Sequence, residues 1–329
     1  MPEMRYVDAI RTALDQAMET DPSVVLLGED LTVGGPFGVT RGLAERYGEW
    51  RVRNTPISEG TVVGLAVGAA LAGLRPVVEI MFVDFLTLAM DQLVNHAAKL
   101  HYMSGGQLRV PLTIRAQYGA VGGFGAHHSQ SLEAWLVHVP GLKVVAPATP
   151  ADAKGLLEAA IGDDNPVIFL EHRGLYFGRG EVPDGIEVPI GRAAIRRQGD
   201  DVTIVAIGRL VGSALEAAAA LAADGIEAQV IDPRSLLPLD LPAIVESVRR
   251  TGRLVVVHEA VEMGGMGGEI AASVQAQAHD VLRAPIVRVG APFAPVPAAP
   301  ELEQAFVPSV ERIAAAVRRV TGRPTVATH

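Results

Sequence analysis

Two short stretches of the sequence place chemically competent side chains beside glycine. Glu59 lies in the segment TPISEG (55–60), and His127 and His128 end the glycine-rich run GGFGAHH (122–128). Carboxyl and imidazole groups are well suited to proton transfer near neutral pH. These three side chains are therefore the first candidates for catalysis.

The two histidines are neighbours, so on an extended segment their side chains point in opposite directions. They do not form the i, i+4 pair of a helical metal site, and the sequence has no H-E-x-x-H motif. The plain interpretation is one core and one surface histidine. The glycines before them permit unusual backbone angles and close approach of a ligand, which favours a functional loop.

Glu59 opens a predicted helix that carries small residues on one face, at Gly60, Gly64, Gly68 and Ala72. The carboxylate is either an acid favoured by the helix dipole or a partly buried acid that exchanges a proton with a ligand. The small face suits an internal helix crossing and a subunit contact equally well.

A second glycine-rich segment, GGMGGE (264–269), follows a predicted strand and opens a predicted helix. Such a turn can cradle a phosphate. Here Glu259, Glu262 and Glu269 surround it, the spacing is not G-x-G-x-x-G, and no P-loop lysine follows. A structural turn is the preferred interpretation.

Composition excludes several classes of protein. The chain has 329 residues, enough for two domains, and a net charge of -9 without a basic run, which argues against nucleic acid as a partner. It has no cysteine, which excludes disulfides and thiolate metal sites. The start of the sequence has no apolar signal core, and the uncharged stretch 60–74 is too short to span a bilayer, so we expect a soluble, cytoplasmic protein without a membrane partner.

Apolar runs of strand length alternate with helical periodicity through both halves of the chain. This alternation predicts an α/β fold of two domains, each a mainly parallel sheet flanked by helices. Thr149, followed by Pro150 and Asp152, is a clear helix start. The expected divisions are a first domain, a linker rich in glycine, proline and charge, a second domain and a frayed tail, at 1–176, 177–192, 193–321 and 322–329.

Several longer segments together resemble one family. They include TPISEG (55–60), GLRPVVEIMFVDF (73–85), HSQS (128–131), PGLKVVAPATPADAKGLL (140–157) and TGRLVVVHEA (251–260). In this order they are similar to the beta chain of two-chain, thiamine-diphosphate-dependent 2-oxo acid dehydrogenase decarboxylase components, of the pyruvate, branched-chain or acetoin type. The resemblance implies two transketolase-like domains, a pyrimidine-binding domain and a C-terminal domain.

The same resemblance implies an oxidoreductase that is active only with an alpha chain, in an assembly of two alpha and two beta chains. The alpha chain of the family holds the diphosphate and its magnesium through a Gly-Asp-Gly motif and a later Asn. This sequence has GDD at 162–164 and 199–201 but no GDG. The chain thus resembles half an active site, which would decarboxylate a small 2-oxo acid and transfer the acyl group to the lipoyl disulfide of a separate acyltransferase.

Residue by residue, the resemblance implies that Glu59 hydrogen-bonds the aminopyrimidine ring of thiamine diphosphate and that Phe85 packs on that ring. Glu29 and Ile57 match further pocket positions. His128 matches the histidine that faces the thiazolium ring and the substrate, while His127 supports the loop. The family also carries a structural monovalent cation, usually potassium, and the matching positions are Leu112, Ala160, Ile161, Asp163 and Asn165.

Three alternatives accompany this prediction. Within the family, EIMFVDF (79–85) and NHAAK (95–99) are at least as similar to acetoin-type beta chains. A self-sufficient transketolase or synthase is disfavoured by the missing Gly-Asp-Gly motif. A non-catalytic scaffold for an alpha chain is disfavoured by the joint presence of Glu59, Phe85 and His128. The family uses the matching helix to pack chains together. This favours a subunit contact as the interpretation of the small-residue face at Gly60, Gly64 and Gly68.

Overall fold

The computed structural model describes residues 3–323 and forms two compact units. The first unit takes the chain up to Tyr118, then Trp135–Ile190 and Leu236–Pro238. The second takes Gly119–Ala134, Gly191–Ser235 and the chain from Leu239 onward. Most of the expected tail, 324–329 with its His329, lies outside the described residues.

The strands of the described part are β1 (Glu3–Arg5), β2 (Val24–Gly28), β3 (Val52–Asn54), β4 (Arg75–Ile80), β5 (Thr113–Tyr118), β6 (Lys143–Val145), β7 (Val167–His172), β8 (Arg179–Glu181), β9 (Ala194–Arg197), β10 (Val202–Ala206), β11 (Ala228–Asp232), β12 (Ser235–Leu237), β13 (Leu254–Val261) and β14 (Val287–Ala291). The α-helices are α1 (Tyr6–Thr20), α2 (Leu43–Tyr47), α3 (Glu59–Leu71), α4 (Val83–Leu86), α5 (Leu100–Met103), α6 (Glu133–Val137), α7 (Pro150–Gly162), α8 (Leu210–Ala223), α9 (Leu241–Thr251), α10 (Met266–Ala278), α11 (Pro300–Phe306) and α12 (Val310–Thr321).

The first unit is built on a seven-stranded sheet in the order β12-β6-β7-β5-β4-β2-β3. The pairs from β6 to β3 are parallel. Every residue of β2, β5 and β7 is buried, as expected for strands covered on both faces. The predicted parallel α/β architecture is confirmed for this unit.

Helices α1 and α7 pack against one another beside this sheet. The apolar positions of α1 recur at helical spacing, at Tyr6, Ile10, Leu14 and Met18, and all four side chains are buried in one core cluster. The predicted start of α7 is confirmed, because the Asp152 amide donates to Thr149 Oγ1 at 3.1 Å.

Helical periodicity in the sequence predicts one helix over 85–101, but the structure divides this stretch into several pieces. The stretch contains α4, a 3₁₀ turn at Thr87–Ala89, a π-helical segment at Gln92–Ala97 and then α5. It passes so close to α3 that a Cβ on Gly60 would lie 3.1 Å from the Leu88 carbonyl oxygen. A Cβ on Gly64 would lie 3.4 Å from Gln92 Cγ. Part of the small-residue face therefore serves an internal crossing, and a subunit contact at this face stays a prediction.

The second unit has a five-stranded sheet in the order β14-β13-β10-β11-β9. Its strands are parallel except for β9, which runs antiparallel to β11. Helices α8, α9, α10 and α12 pack on this sheet. The stretch expected as a linker contains β8, which pairs antiparallel with β1. Among the described residues, none of the helices has the length and apolar character needed to cross a bilayer.

Candidate active site

The carboxyl ends of three adjacent strands meet at one edge of the first sheet. β3, β2 and β4 are neighbours and run parallel, so the residues that follow them emerge at the same edge. Glu29 directly follows β2, the segment 55–59 follows β3, and Phe85 lies five residues beyond β4. Ligands of open α/β sheets bind at this kind of edge. The fold thus brings four predicted residues, Glu29, Ile57, Glu59 and Phe85, to one place.

Glu59 is the first residue of α3 and is only 6 % exposed. Its carboxylate lies close enough to Glu29 to raise the pKa of the Glu29 carboxyl group. Burial raises the pKa of Glu29, and the carboxylates of Glu59, Asp30 and Glu79 raise it further. The raised pKa of Glu29 favours retention of a proton by this carboxyl group at the sheet edge. Glu59 is thus a helix-start acid with a buried side chain, and its exchange of a proton with a ligand stays a prediction.

Phe85 is half-buried and meets the ring of Phe82 edge-to-face, with centroids 5.6 Å apart. It presents an apolar aromatic surface of the kind that packs on a flat heterocycle. Ile57 is 79 % exposed, so the fold leaves it available to a ligand or to a partner chain. Sequence reasoning missed Thr55, whose buried Oγ1 has no hydrogen-bond partner among the described residues. An unmatched buried hydroxyl at this edge is consistent with a polar ligand.

A buried ion cluster lies in the sheet beneath this edge. Arg115 on β5 donates from Nη1 to Glu79 Oε2 at 2.5 Å and from Nε to Glu171 Oε1 at 2.6 Å. The Tyr176 hydroxyl donates to the second oxygen of Glu171. Burial raises the pKa of Glu79 even with Arg115 beside it. The cluster ties β4, β5 and β7 together, and it also raises the pKa of Glu29 through Glu79.

The predicted histidines lie in the segment Gly119–Ala134, which belongs to the second unit. Its glycines Gly122, Gly123 and Gly125 have φ of 81°, 72° and 71°, values that L side chains rarely adopt. His128 is half-buried and His127 is exposed. Their roles as a site residue and a loop support stay predictions.

The predicted cation ligands are already engaged with protein cations. Arg75 Nη1 donates to the carbonyl oxygens of Ile161 and Asp163 at 3.1 and 3.0 Å. Lys143 pairs with the Asp163 carboxylate, which also accepts the Asn165 amide at 2.9 Å.

Two further carbonyls of the set accept backbone amides. Leu112 accepts the Val167 amide, and Ala160 accepts the amide of Asp163. The carbonyl oxygens of Ile161 and Asp163 converge on one guanidinium nitrogen of Arg75. Potassium does not fit this arrangement while Arg75 stays in place, because like charges would share the same oxygens.

The glycine-rich turn GGMGGE has a structural explanation. A Cβ on Gly265 would lie 2.5 Å from His258 Cε1, and one on Gly267 would lie 2.6 Å from His258 Nε2. Burial lowers the pKa of His258 to about 4, so its ring is neutral near pH 7. The glycines therefore make room for a buried imidazole, which supports the structural interpretation of this turn. Glu259, one of the three acids near this turn, is buried.

Glu133 and Glu259 form a buried acid pair in the second unit that sequence reasoning missed. Burial raises the pKa of Glu133 to about 7, and the Glu259 carboxylate adds to the rise. Its own backbone amide partly offsets this effect. No sequence signal marks the pair, because the two residues are far apart along the chain.

Comparison with known proteins fits this architecture. The transketolase pyrimidine-binding domain matches residues 2–178, and the transketolase C-terminal domain matches 191–313. A solved structure described as a split gene transketolase, inactive beta4 tetramer, has a TM-score of 0.79 and 26% identity over 97% of this chain and 98% of that chain. The fold is thus of the transketolase class.

Relatives that match nearly the whole chain show which family within the transketolase class it belongs to. The beta subunit of acetoin:2,6-dichlorophenolindophenol oxidoreductase from Cupriavidus necator is 49% identical, over 94% of this chain and 95% of that protein. The pyruvate dehydrogenase E1 component beta subunit of Rhizobium meliloti is 46% identical, over 97% of this chain and 70% of that protein. The chain belongs to the transketolase-like family that includes the beta subunits of acetoin, pyruvate and 2-oxoisovalerate dehydrogenases.

The raised pKa of Glu133 makes the stability of the protein depend on pH. The folded state holds this proton up to about pH 7, whereas an unfolded Glu loses it near its ordinary value of 4.5. The stabilisation by the bound proton is complete below pH 4.5 and is lost as the pH rises through 7. Glu133→Gln should therefore be more stable than wild type at pH 8, by up to about 3 kcal/mol, and should match it near pH 4.5.

Urea unfolding midpoints at pH 5 and pH 8 measure this difference. Glu301→Gln, which changes an exposed acid of α11, is the matched control and should show no such pH dependence. Equal pH dependence in wild type and Glu133→Gln would contradict the burial argument.

Proposed function

We propose that this chain is the beta half of a thiamine-diphosphate-dependent dehydrogenase component and binds the aminopyrimidine ring at the carboxyl edge of its first sheet. The observation that carries the proposal is the buried Glu59 beside Glu29, with Phe85 emerging at the same edge. The match to a pyrimidine-binding domain over the same residues supports it. The unmatched Thr55 hydroxyl is a further polar group suited to such a ligand.

When bound, thiamine diphosphate supplies a nucleophilic carbon and an electron sink for cleavage next to a carbonyl group. Glu59 holds and returns a proton at the pyrimidine ring nitrogen. Its burial at the start of α3 keeps water from competing for that proton. Glu29 helps to retain a proton at the edge, and Phe85 orients the ring by packing on its face. Ile57 contributes an apolar contact.

The chain supplies only part of the cofactor site. A diphosphate-magnesium site needs oxygens presented by a turn, and the Gly-Asp-Gly motif of such turns is missing from the sequence. The similar split gene transketolase is described as an inactive beta4 tetramer. We infer that an alpha chain holds the diphosphate and magnesium, in an assembly of two alpha and two beta chains.

The acceptor and the substrate complete the proposal. A small 2-oxo acid, pyruvate or a branched-chain acid, is decarboxylated, and the acyl group passes to the lipoyl disulfide of an acyltransferase. His128 donates a proton or guides the acyl group during this transfer, and His127 supports the loop. We also propose that the component works in the cytoplasm.

Acetoin cleavage is the second candidate, favoured by the 49% identity to the beta subunit of an acetoin oxidoreductase. An assay of the reconstituted alpha–beta pair with 2,6-dichlorophenolindophenol as acceptor separates the two. Turnover of pyruvate or a branched-chain 2-oxo acid supports the main proposal, and turnover of acetoin alone supports the alternative. A pair that assembles but turns over none of them supports a non-catalytic scaffold.

Potassium enters the proposal only as a structural ion. It would be held, mostly through backbone carbonyls, at Leu112, Ala160, Ile161, Asp163 and Asn165. Binding there requires the Arg75 guanidinium to leave the oxygens of Ile161 and Asp163. No step of the reaction runs through this ion.

Replacing Glu59 by Gln separates catalysis from helix stabilisation. Gln keeps the size of the side chain but does not exchange a proton with the ring nitrogen. We expect assembly and melting temperature close to wild type. Proton–deuterium exchange at the thiazolium carbon, followed by NMR in the reconstituted component, should slow by about 10²-fold or more.

Glu45→Gln is the matched control for this experiment, since Glu45 is an exposed acid in the first turn of α2. It should leave the exchange rate unchanged. Exchange at the wild-type rate in Glu59→Gln would remove the catalytic assignment.

His128→Ala tests the second candidate residue against its neighbour. Assembly and cofactor binding should stay near wild type, while acyl transfer to the lipoyl group should slow by about 10²–10⁴-fold through loss of one acid–base group. Stopped-flow measurement of lipoyl acylation in single turnover checks this. His127→Ala is the control and should cost much less. Equal losses in the two variants would show that the assignment of the two histidines is wrong.

A further inference from the structure

Two carboxylates of the second unit hold the loop that carries His128 by its backbone. Glu259 accepts the amide of Ala120, and Glu303 accepts the amide of Gly123 with both oxygens, at 3.1 and 3.2 Å. Both acids are buried, at 5 % and 9 % exposed. We propose that Glu259 and Glu303 are positioning residues that fix the His128 loop; the effect on catalysis rests on the function proposed above.

The loop has little regular structure of its own to hold it in place. Between the end of β5 at Tyr118 and the start of α6 at Glu133 the described chain has no helix or strand. Its internal backbone bonds include the Gly119 amide to the Gln130 carbonyl at 3.3 Å and the His128 amide to the Gly125 carbonyl at 3.4 Å. These are long bonds, and they are weak ones.

One side of the loop packs against Ala298. A Cβ on Gly123 would lie 2.9 Å from the Ala298 carbonyl oxygen, and one on Gly125 would lie 3.3 Å from Ala298 Cβ. On another side the segment 129–132 lines a cavity of about 410 Å³ with apolar walls that include Phe293 and Phe306. A loop beside a cavity lacks the dense contacts that fix a core segment.

The two carboxylates form strong hydrogen bonds to the loop, and their own positions are fixed by neighbouring groups. A hydrogen bond from a backbone amide to an ionised carboxylate is about twice as strong as a neutral one. Arg209 Nε lies 3.3 Å from Glu259 Oε2 and helps to hold this side chain in place. Glu303 lies within α11, so its position follows from that helix. The anchors are placed before His128, on either side of Val121 and Gly122.

Backbone anchoring can be measured without any activity. In the reconstituted component, hydrogen–deuterium exchange of the segment 119–134 should be at least about 10-fold faster in Glu303→Ala. Glu303→Gln keeps an acceptor oxygen without the charge and should lie between this variant and wild type. Glu301→Ala changes an exposed acid on the same helix and should leave the exchange unchanged. Equal exchange of the segment in Glu303→Ala and wild type overturns the proposal.

Single-turnover kinetics test whether the anchors position His128. Glu303→Ala should slow lipoyl acylation by at least about 10-fold, with Glu303→Gln restoring part of the rate, because the bond to the loop is partly restored. Binding of thiamine diphosphate should not change. The variant Glu259→Gln tests the second anchor in the same assay. Slower lipoyl acylation in this variant supports a positioning role for Glu259, and an unchanged rate contradicts it.

His128→Ala, run in parallel, separates the two proposals. If His128→Ala slows acylation but Glu303→Ala does not, the positioning role is wrong and the proposed function stands. If His128→Ala is silent while loop exchange is faster in Glu303→Ala, the role proposed for His128 is wrong and the anchoring of the loop stands.

Discussion

The first candidate site depends on strands that run parallel. Because β3, β2 and β4 point the same way, the segments after them emerge at one edge and place Glu29, Glu59 and Phe85 together. An antiparallel arrangement would send every second segment to the opposite edge of the sheet. Parallel order in turn requires strands buried on both faces, which explains the near-continuous apolar runs in the sequence. The chemistry at the edge is thus a consequence of sheet direction.

Buried charge is the second constraint on this edge. Arg115 is bonded to Glu79 and Glu171, and removing one partner of such a buried set typically costs about 3–5 kcal/mol. The set ties neighbouring strands together beneath the site. Its acid Glu79 also raises the pKa of Glu29, so a structural cluster affects proton retention where the cofactor ring is proposed to bind. Stability and site electrostatics share the same groups.

Sequence patterns predicted the parts of the fold that rest on local physics. The long buried strands, the Thr149 cap and the two-domain α/β architecture are confirmed, because apolar periodicity and capping are properties of short segments. The short strand β3, which is held by pairing with β2, was missed, and so was the irregular stretch after Phe85, which packs closely against α3. The anchors of the His128 loop were also missed, because Gly123 and Glu303 are 180 positions apart and no local signal links them.

The central claim is that this chain holds half of a cofactor site, and calorimetry tests it most directly. Thiamine diphosphate with magnesium is titrated into the purified chain alone and into the chain reconstituted with its alpha partner. The account predicts weak or undetectable binding to the lone chain and tight, magnesium-dependent binding to the assembled pair. Tight, magnesium-dependent binding by the lone chain would contradict it.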